Sequence, residues 1–370
     1  MKLKIFGFAT VAVFLSLVNS AFAQQEDPAL FMSRANARIA KASAFPNAWG
    51  GPTAGPAIPA KKKLIAFIGS DFKNTSVSTL FKSVKEAATV AGWDVFMIDC
   101  YGIKKQHAEA FARAVALKPA GIILAGVDAS EQPKELKLAA SKKVPVVGWH
   151  AATVPGPTDG LFTNVTTDPK EAAQVAALLA VVESAGKAGV VVMADPANLY
   201  AMTKANEIAA VIKQCATCSM LGIQEVPLAT PADKMQAIVS GLVARHGKKW
   251  THVIAVNDMY LDTLSAPSIA PIIAENNLQA ISAGDGSPSA YTRIQKKSMQ
   301  IGTVPEPFNM QGWQLIDEVN RAMSGEKASG YTTPVYLITK QNLSFHGGTR
   351  QIFEPDNNFR QAYKKIWQKP

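Results

Sequence analysis

The chain has 370 residues, 48% of them hydrophobic and 18% charged, with a formal net charge of +10. That length and apolar content exclude a disordered chain and fit two domains with buried cores. Basic pairs such as Lys104-Lys105, Lys248-Lys249 and Lys296-Lys297 are scattered beside expected helix ends, which favours a solvated surface over a nucleic-acid face.

The first 23 residues read as a secretory signal peptide. Lys2 and Lys4 precede an apolar run, and Ala21-Phe22-Ala23 forms a cleavage pattern before Gln24. No later stretch is long and apolar enough to span a membrane. An exported, periplasmic protein is expected. Residues 24–60 form a leader. Its first part, PALFMSRANARIAKA, is amphipathic; its second, FPNAWGGPTAGPAIPA, is rich in Gly, Pro and Ala. That second part is expected to be extended and coreless, with Trp49 packed on a domain surface.

From Lys61 strands and helices alternate. LIAFIGS, DVFMIDC, AGIILAGV and VPVVGWH are short apolar runs, separated by segments with helical apolar stripes. Strands apolar throughout suit a parallel sheet covered on both faces. After LFTNV the rhythm restarts, with strands AGVVVMA, SMLGIQEV, THVIAVN, AISAGD, IGTVPE and VYLITKQ. The fold class expected is therefore α/β, two Rossmann-like lobes.

The three cysteines are Cys100, Cys215 and Cys218. Cys100 closes a strand and reads as a buried small side chain. Cys215 and Cys218 end a helix rather than begin one, and no second ligand pair is spaced for zinc. In an oxidising compartment a structural disulfide is favoured. His107, His246 and His346 read as surface residues, and His252 as a packed core histidine.

Ligands of such sheets bind beyond the carboxyl ends of the strands. The residues there include Ser70 and Asn74, Gly126, Trp149 and His150, Asp195, Asn257 and Asp258, Asp285, and Glu306. Their carboxamides and carboxylates suit hydroxyl or amine partners, although each alone also suits a cap or turn. The chain lacks G-x-S-x-G, H-E-x-x-H and G-x-x-x-x-G-K-[ST] motifs, and GSDFKN after the first strand is not a dinucleotide fingerprint. A single histidine at the cleft is weak grounds for catalysis. No enzyme activity, cofactor or metal is expected.

The stretches LIAFIGSDFKN, KKVPVVGW, HVIAVND and AISAGDGSPSAYTRIQ, in this order, resemble the periplasmic solute-binding proteins of ABC importers. The likeness is to their type I, ribose-binding-protein-like branch, and it covers roughly Lys61 to Gln341. It implies two lobes joined by three crossovers, near Thr166–Asp168, Val304–Glu306 and Thr333–Val335. The lobes are then 61–166 plus 306–333, and 167–305 plus 334–370. It also implies a ligand held between the lobes by hinge closure and a membrane permease as partner, with a monomeric binding protein and no nucleic acid. Carried over by position, the ligand contacts fall on Ser70, Asn74, His150, Lys204, Asn257, Asp285 and Glu306, and Trp149 joins them as the ring beside His150. His150-Ala151 stand where ribose binders place Asp-Arg, so a forked charge clamp is missing and ribose itself is disfavoured. A sugar-like ligand is expected. The alternatives are a ligand-presenting sensor for a membrane receptor or kinase, or a binder of an aromatic or heterocyclic ligand.

Overall fold

The computed structural model describes residues 26–44, 48–158 and 160–368. The expected signal peptide lies outside the described residues. The chain begins with α1 (Pro28–Ala42), capped by the Asp27 carboxylate, which accepts from the N–H groups of Ala29 and Leu30.

The first lobe follows as β1 (Leu64–Gly69), α2 (Thr75–Val90), β2 (Asp94–Asp99), α3 (His107–Ala116), β3 (Gly121–Ala125), α4 (Pro133–Ser141), β4 (Val146–Trp149), β5 (Gly156–Thr158) and β6 (Leu161–Val165). Its sheet runs in the order β2-β1-β3-β4-β6-β5. Only the β5–β6 pair is antiparallel. β3 is buried along its whole length, as its unbroken apolar run requires. β2 differs from expectation. It is the sheet edge, so Phe96 and Met97 are exposed rather than covered.

The second lobe comprises α5 (Pro169–Glu183), β7 (Gly189–Ala194), α6 (Leu199–Gln214), β8 (Ser219–Glu225), α7 (Ala232–His246), β9 (His252–Ala255), α8 (Asp258–Leu264), α9 (Ala270–Glu275), β10 (Gln279–Ser282), α10 (Pro288–Gln295) and β11 (Gln300–Thr303). The chain then returns to the first lobe with α11 (Phe308–Met323), adds β12 (Ile338–Thr339) to the second sheet, and ends in α12 (Phe359–Trp367). The second sheet runs β12-β11-β10-β9-β7-β8, with only β12 antiparallel. Two six-stranded, mostly parallel sheets flanked by helices result. Helix starts follow ordinary cap chemistry: Asp168 caps α5 ahead of Pro169, Asn198 caps α6, and Ser287 caps α10 ahead of Pro288.

The termini depart from the expected division. α1 buries Phe31 and Ala42 in the second-lobe core, and Arg38 pairs with Glu171 of α5 at 3.2 Å. The leader then runs onto the first lobe. Trp49 packs on Tyr331 and Tyr363, and the Ala54 and Pro56 carbonyls accept from Arg321 and Asn320 of α11. The sequence assigned 334–370 to the second lobe, but α12 packs against the first. Its apolar face of Phe359, Tyr363, Ile366 and Trp367 lies in the first-lobe core beside Trp313 and Phe308. The helix needed an apolar partner, and α11 supplies it. Cys100 and His252 are buried as read, whereas His107 and His346 are buried rather than surface residues. Cys215 and Cys218 are joined by a disulfide, with a Cα–Cα distance of 5.3 Å.

Candidate functional site

The carboxyl ends of both sheets face one cavity of about 100 Å³ between the lobes. Its lining includes Ser70, Asn74, Trp149 and His150 from the first lobe, and Lys204, Asn257 and Asp285 from the second. Seven of the eight sequence-derived candidates therefore converge here. The eighth, Glu306, does not line the cavity.

On the first-lobe side, β1 is followed by Ser70, whose N–H is tied to the Ala125 carbonyl at 2.9 Å. Gly126 opposite it has φ +71, and a Cβ there would come within 2.6 Å of the Ser70 hydroxyl. The glycine thus permits both the turn and the close approach. Asn74 caps α2 by accepting from the Ser76 N–H. At the end of β4 the backbone of His150 adopts φ +48, uncommon for a non-glycine residue. Its imidazole lies flat on the Trp149 indole, with centroids 3.8 Å apart and planes at 14°. The other imidazole face carries Tyr200 of α6, at 4.4 Å and 18°. Three stacked rings therefore cross from the first lobe to the second.

Glu306 sits beneath this stack, at the second crossover. Its Oε1 accepts from the Thr167 hydroxyl at 2.6 Å and meets His150 Nε2 at 3.2 Å. Its Oε2 accepts from the Gln311 amide at 2.6 Å, and Gln311 Oε1 accepts from the Trp149 indole N–H at 2.8 Å. Burial alone would raise this carboxyl, but the His150 ring, the Lys204 charge and the Thr167 hydrogen bond bring it down to about 2. It is thus a carboxylate with three donors, and His150 Nε2 must carry the hydrogen that faces it. Thr167 also pairs with Thr333 through an isolated parallel bridge. Glu306 therefore ties the first two crossovers to the aromatic stack, and Thr167 links the first to the third. The sequence expected it to touch ligand; in the structure its carboxylate is hydrogen-bonded to Thr167, Gln311 and His150.

The second-lobe side is built on carboxylates and backbone. Asp258 accepts from the N–H groups of Asp285, Gly286 and Ser287 at 3.1, 2.8 and 2.9 Å. Burial raises the Asp258 carboxyl, against the Ser287 N–H and the Arg293 charge. This cradle fixes the turn after β10 and aims Asp285 into the cavity. Asp285 Oδ2 accepts from Asn257 at 2.7 Å and, across the cleft, from the Ser76 hydroxyl at 2.6 Å. Lys204 is only 1% exposed, and its Nζ donates to the Ala283 carbonyl at 2.6 Å. Its Nζ also lies 4.9 Å from the centroid of the Tyr200 ring.

Sequence reasoning missed Tyr200, Ser76, Thr167 and Gln311. Tyr200 precedes Lys204 by four residues, so both share a face of α6, which is the one signal that pointed to it. Gln311 lies in a helix of the returning segment and carried no signal. Among the described residues, no group of three or more His, Cys, Asp and Glu could hold a metal ion, and no helix is long and apolar enough to cross a membrane.

Comparison with known proteins agrees with this architecture. The sequence matches the family described as periplasmic binding protein domain over residues 65–327. No curated protein matches the sequence. The fold is similar to that of an ABC transporter solute-binding protein from Mycobacterium smegmatis with bound glycerol, at 18% identity and a TM-score of 0.67, covering 79% of this chain and 99% of that one. It is similar to the periplasmic binding protein of the arabinose ABC transporter from Shewanella sp. ANA-3, bound to L-arabinofuranose, at 18% identity and a TM-score of 0.66, covering 83% and 99%. A solute-binding protein from Bacillus halodurans C-125 with bound myo-inositol is alike at 13% identity and a TM-score of 0.66, covering 79% and 99%. The family match spans most of the chain and coincides with the two lobes around the cavity: this protein belongs to the periplasmic binding protein domain family and has its type I, ribose-binding-protein-like fold.

Proposed function

We propose that this chain is the substrate-binding subunit of an ABC importer, acting as a monomer in the periplasm. It captures a small polyhydroxylated ligand between the lobes and presents the closed form to a membrane permease. The observation that carries this reading is the convergence of Ser70, Asn74, His150, Lys204, Asn257 and Asp285 on one cavity between the lobes. The fold neighbours with bound glycerol, arabinofuranose and myo-inositol make sugars and polyols the class to test.

The chemistry is exchange of hydrogen bonds without turnover. In the closed protein Asp285 is held by Ser76 from the first lobe and Asn257 from the second. A ligand hydroxyl donates to the same carboxylate and replaces the cross-lobe bond, so closure and binding become one equilibrium. Water is excluded, and a compound that leaves Asp285 or Asn257 unpaired is rejected. A planar aromatic ligand is disfavoured, because Trp149 and Tyr200 already cover both faces of His150.

Calorimetric titration with pentoses, hexoses and polyols tests the reading. At least one should bind the wild-type chain, and Asp285→Ala should weaken it by about a hundredfold or more, with the fold intact by circular dichroism. Binding of an aromatic acid in place of every polyhydroxylated compound would overturn the ligand class.

A further inference from the structure

Tyr200 lies outside the contacts expected from the sequence, yet it joins three parts of the cleft. It belongs to the first turn of α6 in the second lobe, and its ring covers His150 of the first. Its hydroxyl is 3.1 Å from Thr166 Oγ1 at the first crossover. That threonine oxygen already donates its one hydrogen to the Thr167 carbonyl at 2.8 Å. The phenol is therefore the donor. Burial, reinforced by the Glu306 charge, pushes the phenol well above its ordinary value and keeps that hydrogen in place. Lys204 lies over the same ring.

The ring thus occupies a slot bounded by His150, Thr166 and Lys204, and the cavity beside it is about 100 Å³. We infer that Tyr200 is a specificity-determining residue, whose ring fills the slot that a larger ligand would need and so sets the upper size limit of the closed cleft. The phenol–Thr166 hydrogen bond holds the ring against being pushed aside. The sugar part of this inference rests on the proposed function; the slot itself does not.

The test uses the full mature chain as wild type, Tyr200→Ala and Tyr200→Phe. Each is titrated with glycerol, erythritol, L-arabinose, D-galactose and myo-inositol. Wild type should prefer the smaller compounds of this series. In Tyr200→Ala the preference should shift by about tenfold or more toward the six-carbon compounds, while Tyr200→Phe, which keeps the ring, should retain the wild-type order. If Tyr200→Ala does not fold, Tyr200→Leu should show the same shift at smaller size. A second arm needs no sugar: phenol, refilling the slot, should raise the melting temperature of Tyr200→Ala and leave wild type unchanged. An unaltered size preference in the small variants overturns the inference, as does phenol acting equally on wild type and variant. If wild type binds none of the sugars, the proposed function falls, and the phenol arm alone decides the role of Tyr200.

Discussion

The two lobes share a topology but not a core. One of the first lobe's two core clusters is filled with rings: Trp93, Trp149, Trp313, Phe308, Phe359, Tyr363 and Trp367 pack together. The second lobe is filled with alanine, valine and isoleucine, and its cluster holds only Phe31, Trp250 and Tyr260 as buried aromatics among the described residues. Their cleft faces differ in the same way. The first lobe presents Trp149 and His150 as a stacked wall, wired through Gln311 to Glu306. The second presents Asp285 on a backbone cradle, with Asn257 beside it. Large interlocked rings make a stiff surface, whereas oriented carboxylates and amides make hydrogen bonds. Shape and hydrogen bonding have been divided between lobes of one fold.

The largest expected effect that sharpens this contrast is Trp313→Ala. Trp313 is fully buried, stacked on Trp367 at 5.2 Å and 4°, and edge-on to Phe359. Urea unfolding should show a loss of about 3–5 kcal/mol, against about 0.5–1.5 kcal/mol for Ile254→Val in the second-lobe core. Near-equal losses would break the contrast between an interlocked core and a divisible one.

Acidification should separate the lobes next. Burial lowers the second-lobe His252 from 6.5 to about 4. The unfolded chain then takes up that proton first, so stability falls as pH drops from about 6.5 to about 4. Glu306 is lowered from 4.5 to about 2, so its contribution is complete above about 4.5 and is lost as pH falls toward about 2. Unfolding free energy followed against pH should show two adjacent windows of loss. Glu306→Gln should flatten only the lower one; flattening of both would refute the assignment. The smallest effect is Asp168→Ala, which removes the one carboxylate oxygen that accepts from the Lys170 and Glu171 N–H groups at the start of α5. It should cost about 1 kcal/mol in the same assay, with ligand affinity unchanged.

Much of this was legible in the sequence, for a physical reason. Asn257 and Asp285 end strands of a parallel sheet, and such positions face the cleft whatever the neighbouring helices do. Tyr200 and Gln311 reach the site from helices, and helix periodicity reveals a buried face without naming its neighbour. The same ambiguity misplaced α12, whose stripe is satisfied by either lobe until α11 is seen beside it. Glu306 was located by its strand end, but two of its three donors, His150 and Thr167, lie 156 and 139 residues away, so those partners carried no local mark.

The placement of α12 has a kinetic consequence. The Ile58 N–H, just before the first strand, donates to the carbonyl of Trp367, and Arg360 pairs with Glu86 of α2. The first lobe's core is therefore completed by residues far along the chain from its own strands. Contacts of such sequence separation carry a large loop-closure cost and slow folding. The lobe whose strands come first must wait for α12. The second lobe's parallel strands are contiguous from 189 to 303, and they find most of their partners within that span.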